Sequence, residues 1–435
     1  MIDSVKSASS PLGQIVEVQT RQGIDDACSW IPAVQQPGRP HILVLHQAPW
    51  FGGAEKRVLD WLRGIDYRKC TVSLTYTEDI FSARVKNLGL PVACTRLKLK
   101  ATGPFWKVFL SWLSYLREMR PDQIILVDGY FLEWPLPVVL AAYIVSRANL
   151  YMTEHTAAPE PQPRSSGIHF GFLPGLGLGW RMRMWQTRAR ARLSKRVLAV
   201  SEDLKQWMVR NYRYAPAKVV VAYHGVETSR FCRASVETRK ALRTSFGVPE
   251  DGILIVSTAR LHPQKRIERL IKALSLLIRN YPNLWLLIAG DGPQDAEVRQ
   301  LAKSLDVSAR INFLGWLEDV SSLLQAGDIY VLPSDFEGFG LALLEAMSSE
   351  LICVATNTQG PGEVIVDGKN GFLVEPTDAG VLQGLSRALQ LNREQRAATG
   401  RNARQTVLER FSFREGIKRG LAALDITSAD IQAEP

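Results

Sequence analysis

The feature that most constrains the fold is the alternation, in two successive series, of short apolar segments with amphipathic ones. In the first series we predict buried strands at 41–46, 70–75, 123–127, 150–153 and 196–200. After a polar stretch, the second series predicts strands at 253–257, 284–289, 311–315 and 329–333. Such alternation favours parallel sheets with helices on both faces. The sequence therefore predicts an α/β fold in which two Rossmann-like domains face each other across a cleft.

The interruption between the two series sets the predicted domain limits. We expect an N-terminal domain over 39–228, which would bind the acceptor of any transferred group, and a C-terminal domain over 229–410. Residues 1–38 show no sustained hydrophobic period and are predicted to form a loosely ordered extension. Residues 411–435 are expected to form a helix that crosses back toward the N-terminal domain, followed by a tail. A length of 435 residues fits two domains of ordinary size.

Composition narrows the cellular setting. The five cysteines are odd in number, widely scattered and without a CxxC pair, so we predict neither a disulfide framework nor a zinc site. The first residues lack the basic and apolar regions of a secretory signal. The most apolar run, 135–145, is much shorter than the ~20 residues that span a bilayer. We therefore expect a cytoplasmic protein without an integral membrane segment.

The segment 337–345 carries the most specific chemistry, because two carboxylates flank a Gly-Phe-Gly turn. A continuous helix at about 100° per residue would leave the two side chains roughly 80° apart. We instead place Glu337 on a loop and Glu345 in the second turn of a helix that starts near Gly340. Gly338 and Gly340 would then expose backbone N–H groups at the helix start, where an anion can bind. Two carboxylates around an anion pocket fit a nucleotide-sugar site.

Together these elements resemble the family-4 retaining glycosyltransferases, which have the two-Rossmann-domain GT-B fold. Segment 337–345 is similar to the family's E-x7-E motif, and 259–265 is similar to its G-R-L-x-x-x-K diphosphate motif. Further matching segments are 52–55, 153–155, 200–202, 290–293, 313–315, 360–363 and 367–371. The resemblance covers roughly residues 41–425. The sequence departs from it at Ala259 and Arg266, where flanking glycines are usual.

The resemblance implies a donor site for a nucleotide-diphosphate sugar. Arg260 and Lys265 would stabilise the charge of the departing diphosphate, and Glu345 would accept hydrogen bonds from ribose hydroxyls. Glu337 would lie nearer the transferred sugar, and His155 would contact that sugar or its phosphate. The catalytic candidates are His155, Arg260, Lys265 and Glu337. The donor-binding candidates are Gly52, Gly53, Arg260, Lys265, Leu314, Glu337, Gly338, Phe339, Gly340, Leu341 and Glu345.

Each candidate also has a simpler structural interpretation. The two cations could be solvated surface residues, and the two glutamates could merely stabilise a helix N-terminus. His155 could be a packed histidine, and the paired glycines could form an ordinary tight turn.

The sequence contains no Asp-x-Asp triplet that would hold Mg²⁺ on a diphosphate. We therefore expect no metal and no cofactor, with Arg260 and Lys265 in the metal's place. The family retains anomeric configuration, which fits a route in which the leaving phosphate helps to deprotonate the acceptor hydroxyl. We nominate no protein nucleophile.

The excess positive charge lies in the first half of the chain. Residues 1–220 hold 29 Lys and Arg against 17 Asp and Glu, and the whole chain carries a net charge of +10. Basic residues alternate with Trp, Phe and Leu in segments 96–116 and 168–192, as in helices that dock on an anionic membrane. Seven cations between 181 and 196 could hold the protein there. Alternatively, 105–116 is a core-facing helix and 181–196 a solvated one.

We therefore predict a retaining hexosyltransferase that moves a sugar from a nucleotide-diphosphate sugar to a glycan acceptor. The acceptor is expected to be lipid-linked, in cell-surface polysaccharide or glycoconjugate synthesis. The basic N-terminal domain is expected to bind the inner face of the cytoplasmic membrane peripherally, and no nucleic acid partner is expected. One alternative is a sugar-nucleotide epimerase of the same fold, which would need acid and base carboxylates but no acceptor. Another is a non-catalytic module that binds sugar nucleotides.

Overall fold

A computed structural model describes residues 38–47, 52–77, 79–97, 99–128, 134–155 and 178–429. The predicted extension 1–38, except Gly38, lies outside these residues, as do the tail 430–435 and most of segment 168–180. Within the described part of the chain, every helix is too short or too polar to cross a bilayer. The four described cysteines, Cys70, Cys94, Cys232 and Cys353, are free thiols.

The first sheet occupies the N-terminal half. Its strands are β1 His41–Gln47, β2 Thr71–Tyr76, β3 Val92–Arg96, β4 Gln123–Asp128, β5 Leu150–Glu154, β6 Arg196–Ala199 and β7 Val219–Val221. They are parallel and lie in the order β3-β2-β1-β4-β5-β6-β7. The helices of this half are α1 Gly53–Gly64, α2 Asp79–Asn87, α3 Phe105–Met119, α4 Leu136–Val145, α5 Leu178–Leu193 and α6 Glu202–Trp207. A π-helical turn, Met208–Tyr212, and a 3-10 turn, Pro216–Lys218, follow α6.

The second sheet occupies the C-terminal half. Its strands are β8 Ile253–Thr258, β9 Leu284–Ala289, β10 Ile311–Gly315, β11 Ile329–Leu332, β12 Ile352–Thr356 and β13 Phe372–Val374. They are also parallel, in the order β10-β9-β8-β11-β12-β13. The first helices here are α7 Val236–Ser245, α8 Ile267–Leu277, α9 Asp295–Ser304, α10 Ser321–Ala326 and α11 Leu341–Ser348. The last are α12 Pro361–Val364, α13 Asp378–Gln390, α14 Arg393–Arg410 and α15 Phe413–Ala423, and 3-10 turns cover Pro263–Lys265 and Ser308–Arg310.

Both sheets reverse their strand order at one point, between β1 and β4 in the first and between β8 and β11 in the second. In doubly wound sheets the connections diverge at that point and leave a crevice at the carboxyl ends of the strands. The segments that leave β1, β5, β8 and β11 contain nearly all of the residues singled out from the sequence. The predicted α/β architecture with two Rossmann-like domains is confirmed.

The amphipathic pattern of α8 shows how the sequence builds these layers. Ile267, Leu270, Ile271 and Leu274 are buried against the second sheet, whereas Leu276 is exposed. The helix begins at Ile267, because Arg266 before it adopts the left-handed conformation, with φ of 51°. That conformation ends the preceding turn, which carries Lys265 toward the cleft.

The last described helix packs on the first half of the chain. A side chain at Gly420 of α15 would lie 2.1 Å from Nε1 of Trp61 in α1, so glycine is required for this close approach. The side-chain amide of Gln123 donates to the carbonyl of Leu424 at 2.7 Å. The chain thus returns to the first sheet after completing the second. The domain limits 39–228, 229–410 and 411–435 stay predictions.

Candidate functional site

A cleft of about 580 Å³ lies between the carboxyl ends of the two sheets. Its volume is typical of a small-molecule site. All of the residues proposed from the sequence line it except Leu314. Leu314 lies in β10 and packs, partly buried, against the core. The structure therefore brings His155 of the first half together with the donor candidates of the second.

Glu337 and Lys265 form one ion pair in this cleft. Glu337 lies on the loop after β11, and Lys265 ends the short turn after β8. Lys265 Nζ lies 2.5 Å from Glu337 Oε1, which also accepts from the Ser334 hydroxyl at 2.6 Å. Gln264 ties the two loops further by donating to the carbonyl of Phe336 at 2.8 Å. A cation is thus held beside the N-terminus of α11, where a diphosphate would meet it.

Glu345 forms a second ion pair, and its partner comes from the other half of the chain. It lies in the second turn of α11, as predicted, and Gly340 immediately before the helix has φ of 85°. Lys56 Nζ, in the first turns of α1, lies 2.5 Å from Glu345 Oε1. Burial opposes the charge on Lys56, but the carboxylates of Glu345 and Asp60 outweigh it and raise the pKa of the lysine. The carboxylate assigned to ribose is therefore engaged by a cation.

Lys56 was not predicted from the sequence, and neither were its charged neighbours. Asp60 and Arg63 follow Lys56 on the same face of α1, four and seven residues later, and they also line the cleft. Arg63 forms an ion pair with Glu227 on the segment that leads to the second sheet. Burial raises the pKa of Asp60 to about 7, although Lys56 and Arg63 oppose the shift. The helical spacing 56, 60 and 63 was the signal that could have revealed this face.

His155 directly follows β5 and is buried. Its Nδ1 lies 2.7 Å from the carbonyl oxygen of Asp128, so Nδ1 carries the proton that this bond requires. Burial lowers the pKa of His155 to about 3, and the nearby Arg57 adds to the shift. Nε2 has no hydrogen-bond partner among the described residues. The ring therefore offers an acceptor lone pair, which fits a sugar hydroxyl better than a phosphate oxygen.

The two halves of the chain also touch at Gly338. A Cβ atom at this position would lie 1.7 Å from the carbonyl oxygen of His155, so only glycine permits the contact. The Ser201 hydroxyl at the start of α6 donates to the carbonyl of Gly338 at 2.8 Å. The glycine predicted to expose a backbone N–H group also allows the donor loop to reach the opposite domain.

Glu363 makes a second bridge between the halves. Its carboxylate accepts from the backbone N–H groups of Glu202 and Asp203, at 3.1 and 2.6 Å, and from the Tyr223 hydroxyl at 2.8 Å. A carboxylate at a helix N-terminus is favoured by the unpaired N–H groups and by the helix dipole. The ring of Tyr223 also lies 5.2 Å from that of Phe339. These contacts hold the two halves together beside the cleft.

The buried neutral state of His155 predicts a pH-dependent contribution to stability. Between pH ~6.5 and ~3 the unfolded chain binds a proton at this residue and the folded protein does not. The free energy of unfolding should therefore fall by about 1.4 kcal/mol per pH unit as pH decreases through this window. We expect urea unfolding of wild type and His155→Asn to differ less at pH 5 than at pH 7.

The less buried His262 supplies a control, since burial lowers its pKa as well, with Arg260 and Lys265 contributing. A His262→Asn variant keeps His155, so its free energy of unfolding should fall with decreasing pH more steeply than that of His155→Asn. Parallel pH profiles for wild type and His155→Asn would show that His155 is not held neutral.

Comparison with known proteins identifies the family. Residues 51–230 match the profile described as Glycosyltransferase Family 4, and residues 238–406 match the one described as Glycosyl transferases group 1. The chain is 36% identical over 188 residues to a putative glycosyltransferase, EpsD, of Bacillus subtilis, a match covering 43% of this chain and 49% of that protein.

A second relative is the UDP-Gal:alpha-D-GlcNAc-diphosphoundecaprenol alpha-1,3-galactosyltransferase of Escherichia coli. It is 27% identical over 45% of this chain and 51% of its own length. The matches thus span about half the length of these curated relatives.

The fold is also that of solved structures. HepE of Anabaena, solved in complex with UDP and glucose, superimposes with a TM-score of 0.71 at 21% identity, over 89% of this chain and 100% of that one. With the two family profiles matching successive halves, the chain belongs to the family-4 glycosyltransferases of group 1, with the GT-B fold.

Proposed function

We propose that this protein transfers a sugar from a nucleotide-diphosphate sugar to a hydroxyl group of a glycan acceptor, with retention of anomeric configuration and without a metal. The observation that carries the proposal is the meeting of Lys265, Glu337 and the N-terminus of α11 with His155 across one cleft. The structure of HepE with UDP and glucose supports a nucleotide-sugar ligand in this fold.

The donor diphosphate would lie between Arg260, Lys265 and the start of α11. Both cations line the cleft, and they are contributed by the segment after β8. As the sugar leaves, negative charge grows on the diphosphate, and fixed cations stabilise that state more than the ground state. This is the role that a divalent cation would otherwise take, so we propose that no metal is required.

The ribose and the sugar would engage the remaining groups. Ribose hydroxyls would donate to Glu345 after displacing the ammonium group of Lys56 from it. The unpaired Nε2 of His155 would accept a hydrogen bond from a hydroxyl of the transferred sugar. Glu337, already held by Lys265 and Ser334, would orient the sugar rather than attack it.

The anomeric configuration is retained if the acceptor attacks the anomeric carbon from the same face that the diphosphate leaves. The bond between the anomeric carbon and the β-phosphate oxygen breaks, and a bond from the acceptor oxygen to that carbon forms on the same face. The acceptor proton passes to the departing phosphate oxygen. This route needs no protein nucleophile, and we nominate none.

We further propose that the acceptor is lipid-linked and is met at an anionic membrane. Helix α3 packs on α4, and α4 on α5, and the described side chains of the three helices include six exposed apolar ones. These residues are Phe105, Trp106, Leu110, Ile144, Met182 and Trp185. An apolar face beside basic residues suits the interface of an anionic bilayer. The E. coli relative acts, by its name, on a diphosphoundecaprenol-linked sugar.

The structure corrects the predicted set of membrane-binding cations. Arg190 was counted among the seven between 181 and 196, but its guanidinium is buried and lies 3.0 Å from Asp128. Arg188 is half-buried and donates to the carbonyl of Tyr212 at 3.2 Å. Of these three arginines of α5, Arg192 is the exposed one. Helix 105–116 is also core-facing in part, since Trp112 and Leu116 are fully buried.

Removing the donor-site groups should weaken transfer and leave the fold intact. We expect Lys265→Ala to lower kcat/KM by roughly 10²- to 10³-fold, as when a stabilising donor is removed from a reacting anion. Glu345→Ala should raise the donor KM by roughly 10- to 100-fold, since a charged hydrogen bond is lost. Both are measured by release of nucleoside diphosphate, with the melting temperature followed in parallel.

A matched control is Lys272→Ala, which removes an exposed lysine that lies 2.8 Å from Asp378, outside the cleft. It should transfer sugar at the wild-type rate. Rates like wild type in Lys265→Ala or Glu345→Ala would contradict the proposed site.

Membrane binding should depend on the apolar face of α3 and α5. We expect the protein to float with vesicles that contain phosphatidylglycerol and not with neutral phosphatidylcholine vesicles. The double substitution Trp106→Ser and Trp185→Ser should abolish flotation, and Arg192→Glu should weaken it by about 1 kcal/mol or more. Trp316→Ser, which removes an exposed tryptophan of the second half, is the control. Failure of the wild type to float would contradict the membrane proposal.

A further inference from the structure

A fully buried ion pair between Asp128 and Arg190 lies next to His155. Asp128 ends β4 and Arg190 lies in the last turns of α5, and Nη2 of the arginine lies 3.0 Å from Oδ2 of the aspartate. Both side chains are at most 2% exposed. The pair lies outside the lining of the cleft, so it does not touch a bound donor.

Both members of this ion pair interact with His155 or with the residue before it in the chain. The carbonyl oxygen of Asp128 accepts the proton on Nδ1 of His155, at 2.7 Å. Glu154, the residue before His155, also interacts electrostatically with Arg190. The guanidinium of Arg190 therefore interacts with the last residue of β4, Asp128, and with the last residue of β5, Glu154. The hydrogen bond between His155 and Asp128 joins the same two strand ends.

Stability alone does not explain a buried pair at this position. Taking two charges out of water costs several kcal/mol, and well-packed apolar residues of similar volume often serve as well or better. The Nε and Nη1 groups of Arg190 have no hydrogen-bond partner among the described residues, which adds to the cost. A geometric role is therefore favoured over a stabilising one, since an ion pair specifies one arrangement where apolar residues would accept several.

We propose that Asp128 and Arg190 are positioning residues that fix the tautomer and orientation of His155, so that its Nε2 lone pair faces the donor sugar. The use of that lone pair by a sugar rests on the proposed glycosyltransferase function, whereas the fixed tautomer does not. Because Arg190 belongs to α5, the helix with exposed Met182 and Trp185, the same pair also ties the proposed membrane face rigidly to the donor site.

The test is the paired substitution Asp128→Asn with Arg190→Met. It removes both charges together, so no buried charge is left alone, and it keeps the backbone carbonyl that His155 needs. The protein is labelled with ¹⁵N at its six histidines, and the His155 signals are assigned by their loss in His155→Asn. Arg192→Met, an exposed arginine on the same helix, is the matched control.

We expect wild type and Arg192→Met to show one neutral His155 species protonated at Nδ1. In the paired variant we expect exchange between the two tautomers and at least a tenfold loss in kcat with UDP-glucose as the probe donor. The loss should vanish in a His155→Asn background, because a residue that acts through His155 has nothing further to remove. Arg190→Lys, which keeps the charge, should preserve the Nδ1–H tautomer and is the second variant if the pair fails to fold.

Two results would overturn the proposal. One is an unchanged His155 spectrum in the folded paired variant, and the other is an equal loss of kcat with and without His155. The spectrum is read without any substrate, so it tests the positioning role even if UDP-glucose is not turned over. Absence of turnover in the wild type with all nucleotide sugars would count against the proposed glycosyltransferase function and not against the positioning role of Asp128 and Arg190.

Discussion

The arrangement of the site depends on one close contact, in which the backbone at Gly338 lies against the carbonyl oxygen of His155. A single Cβ atom would overlap that oxygen, so the contact exists because the residue is glycine. It brings the loop of Glu337 from the second sheet against the end of β5 in the first. The capping of α6 by Ser201 and Glu363 holds the same two surfaces together. This contact places His155 beside the loop that carries Glu337.

Within the cleft the charges are arranged in complementary pairs. Each of the two glutamates lies 2.5 Å from a lysine, Glu337 from Lys265 and Glu345 from Lys56. The first pair lies within one half of the chain, and the second spans both. A bound donor would add a diphosphate near Lys265 and ribose hydroxyls near Glu345, so it would replace the contact between Lys56 and Glu345. We infer that donor binding and the contact between the two halves are linked through Lys56.

Most of the fold could be predicted from the sequence, and the misses have physical causes. The central strands were recognisable because they are apolar runs before glycine turns. Strands β3, β7 and β13 are edge strands, and β7 and β13 have only three residues, so each gives a short pattern in the sequence. Strand β12 was missed because only three residues separate it from α11.

Only part of the candidate site could be predicted from the sequence. The resemblance of segments 259–265 and 337–345 to family motifs revealed Arg260, Lys265, Glu337 and Glu345 as a group. Lys56 pairs with Glu345 across 289 residues, and such a contact depends on how two domains meet. Arg190 was interpreted as a surface cation because composition alone does not show which face of a helix is buried. Its partner, Asp128, lies one residue beyond the predicted strand 123–127 and was not singled out.

The central claim is that this cleft binds a nucleotide-diphosphate sugar, and a thermal-shift screen of UDP, GDP, ADP and CMP sugars tests it most directly. A ligand at one hundred times its Kd stabilises a protein by about 2.7 kcal/mol. The account predicts that one nucleotide series raises the melting temperature of the wild type, and that the same sugars have no effect on a Lys265→Ala, Glu345→Ala double variant. If no series raises it, or if the double variant responds as the wild type does, the donor site lies elsewhere.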